Sequence, residues 1–311
     1  MDLAFAALGL ILLLLAGDAL VRGAVALAVR LGIPALIVSL TIVSFGTSAP
    51  ELFISVGAVM EGAPGIALGN VVGSNTANVL LVLGIPALIS GIDTRRSDTR
   101  RAYIFMMAAS VWFVALCFFG PLIWVHGILL LGLLAGIFVD QTREARAHMR
   151  ENSAKDAKAT DALMPWNRII LFLALGLVGL PLGAKLFVDA AVNIATAMGV
   201  SETVIGLTLV AIGTSLPELA TTVIAAMRRE TEVVLGNVIG SNMFNLLAII
   251  GISTFFGGIP VDASFLRFDL WVMLGASVVL GGFVLARINI SRAVGAVLTA
   301  LYLAYVLVVL I

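Results

Sequence analysis

Charge is scarce in this chain of 311 residues: Asp, Glu, Lys and Arg make up 12% of it, and 18 basic residues balance 18 acidic ones. A net charge of zero gives no overall hold on a phosphate backbone, which argues against nucleic acid as a partner. A single cysteine, Cys117, cannot build a disulfide framework. The two histidines, His126 near an expected membrane boundary and His148 in a polar stretch, supply no members for a proton relay through the core. No P-loop or other nucleotide motif occurs, so ATP is not expected as a partner, and no catalytic dyad or hydrolytic metal constellation marks an enzyme. What the chain has in abundance is apolar surface: 61% of its residues are hydrophobic and its mean hydropathy is +1.15. That much apolar surface cannot be wrapped into one soluble core, and the lipid bilayer is the expected solvent.

A spanning helix needs about 20 apolar residues, and division at the charged or turn-rich breaks predicts ten of them. They cover 3–29, 35–60, 66–90, 102–119, 122–140, 167–197, 203–227, 233–257, 268–286 and 293–311. The fourth and fifth are separated only by Gly120-Pro121. Met1 to Leu15 lacks a basic leader and an obvious small-residue cleavage site, so it is read as part of the first span. Cytoplasmic loops are enriched in Lys and Arg. Placing both termini outside puts Arg22, Arg30, Arg95, Arg96, Arg100, Arg101, the 141–168 loop, Arg228, Arg229, Arg287 and Arg292 inside, leaving Arg267 outside and Lys185 within a span. The one long polar segment, residues 141–166, reads as a cytoplasmic linker between a first unit, 1–140, and a second, 167–311.

The two units repeat one another at a fixed offset, 218 − 51 = 167, without a gap from Val21/Val188 to Gly84/Gly251. Five helices per unit is an odd number, so the second copy enters the membrane from the opposite side. The expected fold is an all-α integral membrane protein of ten transmembrane helices, arranged as two inverted five-helix repeats. Each repeat carries a carboxylate in one phrase: GTSAPEL ending in Glu51 and Leu52, and GTSLPEL ending in Glu218 and Leu219. An ionised group at bilayer depth costs about 2.5–3.5 kcal/mol even on the lenient insertion scale, so it persists where it faces partners, water or an ion. Pro50 and Pro217 remove a backbone donor while Gly46 and Gly213 loosen the preceding turn, which frees carbonyl oxygens beside Ser and Thr hydroxyls. Alone, Gly-Thr-Ser-x-Pro is a structural kink; followed twice by a carboxylate, it reads as a shared cation site.

A second pair of phrases, LGNVVGSNTANVL from Leu68 and LGNVIGSNMFNLL from Leu235, contains GxxxG spacings suited to close helix packing. Packing does not explain the polar residues between them. Ser74 and Asn78, and Ser241 and Asn245, are four apart and project from one helical face, where they would complete an oxygen cage around the glutamates. Carboxylate, amide, hydroxyl and carbonyl oxygens favour hard cations, with calcium the natural divalent candidate.

The paired GTSxPE and GNxxGSNxxN motifs resemble the cation/calcium antiporter superfamily, most closely the prokaryotic sodium/calcium exchangers, across both halves of the chain. The resemblance implies a core of four motif helices flanked by two long tilted helices, 3–29 and 167–197, that slide to alternate access. It implies that Glu51 and Glu218 bridge calcium, with backbone carbonyls from Thr47 and Thr214. Ser48, Ser215, Ser74, Ser241, Asn78 and the carbonyls of Ser44 and Ala211 would complete sodium sites. It further implies Ca2+ and Na+ as cargo, no cofactor, a monomer, and a prokaryotic cytoplasmic membrane. Many relatives carry an aspartate where this chain has Asn245, which disfavours potassium co-transport. Two glutamates balance one calcium, so electrogenic exchange of three sodium ions for one calcium is permitted. A proton/calcium antiporter of the same superfamily and a cation channel are the alternatives, and sodium-gradient-dependent calcium flux separates all three. Asp18 and Lys185, also 167 apart, are read as structural ion-pair formers, Lys185 with Asp189 or with Asp18, and are left outside the ion site.

Overall fold

The protein is described in a computed structural model for residues 1–96, 98–153, 163–199 and 211–310. Among these the backbone is helical; no strand forms, and only two isolated bridges, Ile92 with Ile290 and Leu122 with Ile259, tie loops together. In chain order the helices are α1 (Asp2–Leu31), α2 (Ala35–Thr47), α3 (Ala49–Met60), α4 (Pro64–Ser90), α5 (Arg100–Cys117) and α6 (Trp124–Ser153). There follow α7 (Trp166–Ala197), α8 (Ala211–Thr214), α9 (Leu216–Met227), α10 (Thr231–Ser253), α11 (Phe265–Ala286) and α12 (Arg292–Leu310). Eight are long and apolar enough to cross a bilayer, and nine spans result if α2 and α3, which meet at a 45° bend, are taken as one. The expected span 203–227 is represented by α8 and α9; its residues up to 210 lie outside the described residues, as do 154–162 of the expected linker.

Burial sorts the helices into centre and rim. Every residue in the most apolar window of α10 is buried, and 78% of that in α4, against 17% in α12 and 33% in α1 and α7. The motif helices therefore form the core, packed with α5 through Val71, Leu83, Met106, Phe113, Leu235, Ile239 and Leu246. The rim helices turn Leu3, Ile11, Leu15, Ile170, Leu175 and Val297 outward, as a lipid-facing surface requires.

Element boundaries recur at the repeat offset: α3 at Ala49–Met60 and α9 at Leu216–Met227, then Pro64–Ala77 and Thr231–Phe244, each followed by a π-helical stretch, Asn78–Val82 and Asn245–Ile249. α1 and its counterpart α7 pack antiparallel, Gly183 against Leu13 and Gly9, Gly179 against Ala16, Gly176 against Leu20 and Gly23 against Leu173. A Cβ on Gly176 would stand 2.4 Å from that of Leu20, so only glycine allows this approach.

α6 departs from expectation. The span read as ending at residue 140 continues without a break to Ser153. Residues 141–153, QTREARAHMRENS, contain no Gly or Pro and are mostly strong helix formers, so nothing stops the helix where the bilayer-length segment ends. The first half of the linker is thus helix, tied back by Arg101 to Asp140 and Glu144. α5 and α6 are separate helices, joined through Gly120 at φ 108°.

Candidate ion-binding site

Both motif breaks have the same backbone. Ser48 leaves helical geometry at φ −87°, ψ 7° and Ser215 at φ −85°, ψ 4°, and a proline stands within the first two positions of the helix that follows. Pro50 and Pro217 cannot pair the carbonyls of Gly46 and Gly213, so the chain bends there. Glu51 and Glu218 then fall in the first turns of α3 and α9, where the helix dipole favours negative charge. Each is only 1% exposed.

The two carboxylates converge from opposite repeats. Ser48 Oγ donates to Glu218 Oε1 at 2.9 Å. Thr47 also interacts with Glu218, while Glu51 interacts with Thr214 and feels the charge of Glu218. Each repeat's Thr-Ser break therefore meets the other repeat's glutamate.

Around this pair the polar atoms are not consumed by one another. Glu51 Oε2, Glu218 Oε2, Asn78 Oδ1, Ser215 Oγ, Ser241 Oγ and both amide atoms of Asn245 are buried and have no hydrogen-bond partner. A buried acceptor without a partner costs about 1–3 kcal/mol, and more when charged, which makes these lone oxygens candidate cation ligands. Asn78 is oriented for such a role, because its Nδ2 donates to Asn242 Oδ1 at 3.0 Å and its own Oδ1 is left over. Ser74 is buried, one turn before Asn78. Thr47 Oγ1 donates to Asn237 Oδ1 at 3.2 Å. Ser44 likewise donates its hydroxyl to the Ser39 carbonyl at 2.7 Å. Ala211 opens α8, in the place that Ser44 holds in the first repeat.

Two asparagines escaped the sequence reading. Asn70 Nδ2 donates to the Glu51 carbonyl at 3.1 Å and to Ser55 Oγ at 2.9 Å, and Asn237 Nδ2 reaches the Glu218 carbonyl at 3.4 Å. These two are counterparts, 237 − 70 = 167, so each clamps its own repeat's glutamate backbone. The signal was the Asn that follows Gly69 and Gly236 in both copies, passed over when the phrase was read for its glycines. Asn242, one of the buried amides of the second phrase, holds both Asn78 and Asn75; Asn75 Nδ2 reaches its carbonyl at 3.2 Å.

Asp18 and Lys185 both form ion pairs. Lys185 Nζ lies 2.9 Å from Asp189 Oδ2, whereas Asp18 pairs with Arg22 and Arg228 rather than with Lys185. His126 Nδ1 accepts from the Ile123 amide at an exposed helix start. No group of three or more His, Cys, Asp or Glu that could hold a metal occurs among the described residues. Two carboxylates amid neutral oxygens suit hard cations rather than zinc or copper.

The fold defines an integral membrane protein, with two carboxylates buried in its core. The chain belongs to the sodium/calcium exchanger protein family, whose profile matches residues 1–142 and 168–311. It is 36% identical to the putative antiporter CaxA of Alkalimonas amylolytica, over 89% of this chain and 87% of that one. It is 34% identical to the sodium/calcium exchanger MaX1 of Methanosarcina acetivorans, over 97% and 96%. Inner membrane protein YrbG of Escherichia coli is 33% identical over 87% and 85%. Among solved structures, the sodium-calcium exchanger NCX_Mj soaked with zero Na+ and Ca2+ superimposes with a TM-score of 0.83 at 31% identity, covering 99% of this chain and 98% of that one.

Proposed function

We propose that this chain is a secondary antiporter that exchanges Na+ for Ca2+ by alternating access. The observation that carries the reading is the pair Glu51 and Glu218, each 1% exposed, set among buried oxygens that no protein group satisfies. Two carboxylates neutralise one divalent ion, and their unpartnered Oε2 atoms are the acceptors it would take. Thr47 and Thr214 add carbonyl oxygens. The neutral oxygens of Ser48, Ser215, Ser74, Ser241, Asn78 and Asn245, with the carbonyls of Ser44 and Ala211, serve sodium. Because the two cargoes share the glutamates, occupancy by one set excludes the other, and exchange follows from that competition. Three sodium ions against one calcium carry one net charge, so transport is electrogenic.

Ten helices in two inverted five-helix repeats, 1–140 and 167–311, are the architecture of this reading. The antiparallel packing of α1 and α7 supports it, because repeat-related helices that run in opposite directions require an inversion. So does the bond from Asn75 to Asn242, whose separation is 167 residues: a residue that touches its own counterpart lies beside the axis relating the repeats. The basic loops gather at one end, where Arg228 meets Asp18 and Ile92 pairs with Ile290. By the positive-inside rule that end is cytoplasmic and both termini lie outside, in a prokaryotic cytoplasmic membrane. A monomer contains the whole site.

The test is calcium uptake into proteoliposomes with and without an outward sodium gradient, at clamped voltage. Sodium-driven, voltage-sensitive uptake is expected. Uptake driven by a pH gradient and indifferent to sodium would assign proton coupling, and gradient-independent calcium leak would assign a channel.

A further inference from the structure

Between residues 18 and 84, three charged positions outside the ion site recur at the repeat offset, and all three reverse sign. Asp18 answers to Lys185, Arg22 to Asp189 and Glu61 to Arg228, since 185 − 18, 189 − 22 and 228 − 61 each equal 167. Reversing every charge of a triad keeps each pair within it attractive. The last two residues also occupy one backbone position. Glu61 caps the C-terminus of α3 at φ −82°, ψ 0°, and Arg228 that of α9 at φ −82°, ψ −3°.

The two triads are in different states. Asp18 on α1 is held by Arg22 at 2.8 Å, one turn along, and by Arg228, whose Nε lies 2.6 Å from Asp18 Oδ1. That second bond fastens α1 to the end of α9. In the other triad Lys185 stays with Asp189, one turn along on α7, and Glu61 makes no ion pair among the described residues. One triad therefore joins two helices while its counterpart remains within one.

The two turns lie at opposite faces of the membrane. α4 begins beside the Glu61 turn, and its far end lines a pocket with Met227, Arg229 and Thr231 of the Arg228 turn. A helix of 27 residues spans about 40 Å. In an inverted-repeat transporter the alternate access state arises when each half adopts the conformation of the other. A contact between residues 18 and 228 in one state then becomes a contact between 185 and 61 in the other.

We infer that Asp18–Arg228 and Lys185–Glu61 are alternating latches, one at each membrane face, and that one closes as the other opens. This rests on the inverted-repeat exchanger reading. The described conformation has the latch at the basic face shut. The latches bind no cargo; they set the balance between the two access states, and their opposed action keeps that balance near even. An ion pair of this exposure shifts such an equilibrium by up to about fivefold.

The test uses the full chain in proteoliposomes with Cys117→Ala, which removes the only native thiol. Asp18→Cys with Arg228→Cys, and separately Glu61→Cys with Lys185→Cys, are treated with a short bis-methanethiosulfonate linker, which spans an ion-pair distance. Both pairs should link, each link should stop sodium-driven calcium uptake, and a reductant should restore it. Adding Glu61→Gln should speed linking of the 18/228 pair by about two- to fivefold, and Arg228→Gln should do the same for the 61/185 pair. A 61/185 pair that never links in protein that still exchanges, or linking rates that ignore the opposite latch, would overturn the inference. The Cys117→Ala protein is assayed first. If it shows no sodium-driven calcium flux, or if its termini label from opposite faces, the exchanger reading has failed rather than the latch.

Discussion

Glu218→Gln keeps the size of the side chain and removes one of the two charges in the cage. Ser48 Oγ can still donate to the amide oxygen, so the 2.9 Å contact survives and the perturbation is chiefly electrostatic. Two unit charges 4 Å apart interact by about 4 kcal/mol at an effective dielectric constant of about 20. A divalent ion therefore loses about 8 kcal/mol of attraction and a monovalent ion about 4. The amide dipole and retained hydration recover part of both losses, but the twofold ratio remains. Calcium affinity should fall at least about a hundredfold, or about 2.8 kcal/mol, and sodium affinity by about tenfold or less. Isothermal titration of each ion on detergent-solubilised protein measures both, and sodium-driven calcium uptake should nearly vanish. Stability gives an independent readout. Calcium raises the melting temperature of the wild type by mass action, whereas the variant should gain little from it and should melt no lower than the wild type in chelator, because a buried unpaired carboxylate has gone. Equal losses of calcium and sodium affinity, or wild-type uptake, would refute the shared-carboxylate site.

Asn245→Asp adds a third carboxylate where both amide atoms lack partners; calcium release should slow, more so at alkaline pH, as measured by efflux at a series of pH values, and no change at any pH would remove Asn245 from the cage. Asn237→Ala cuts the links to Thr47 and to the Glu218 carbonyl, and calcium affinity should fall about 5- to 100-fold, the equivalent of about 1–3 kcal/mol, with fold and yield retained. In the turn after α9, burial first and the Glu232 carboxylate second raise the Glu230 carboxyl above its ordinary 4.5, with Arg228 opposing them. Folding thus favours protonated Glu230, whose contribution is present below the ordinary value and is lost as pH rises through the raised one. The melting temperature of Glu230→Gln relative to wild type should therefore climb from about pH 4.5 upward, and a flat difference would refute the assignment.

Much of this site was legible because its chemistry is written twice. Glu51 and Glu218, with Ser48, Ser215, Ser241, Asn78 and Asn245, were marked by polar groups placed in apolar helices at a constant offset, and all are buried. Asn70 and Asn237 carried the same offset but were passed over beside their packing glycines, and what they bind, a glutamate carbonyl on another helix, is set by packing. The π-helical stretches that begin at Asn78 and Asn245 were equally hidden, since an extra residue in a turn leaves no mark on hydropathy.

Sequence alone determined the solvent, the duplicated plan and the kind of ion, because bilayer-length apolar runs, a repeat offset and ligand chemistry are properties of residue type and order. It could not determine that α6 runs on to Ser153, since the cue for a helix end was the loss of apolar residues, and helix propagation does not need them. Only tertiary structure decided that Ser48 serves the other repeat's glutamate, that Asn75 meets its own counterpart, and that Asp18 pairs with Arg228 rather than Lys185. Hydrogen bonds and ion pairs form over a few ångströms of space, and which helices bring their faces within that distance is settled by packing, not by position along the chain.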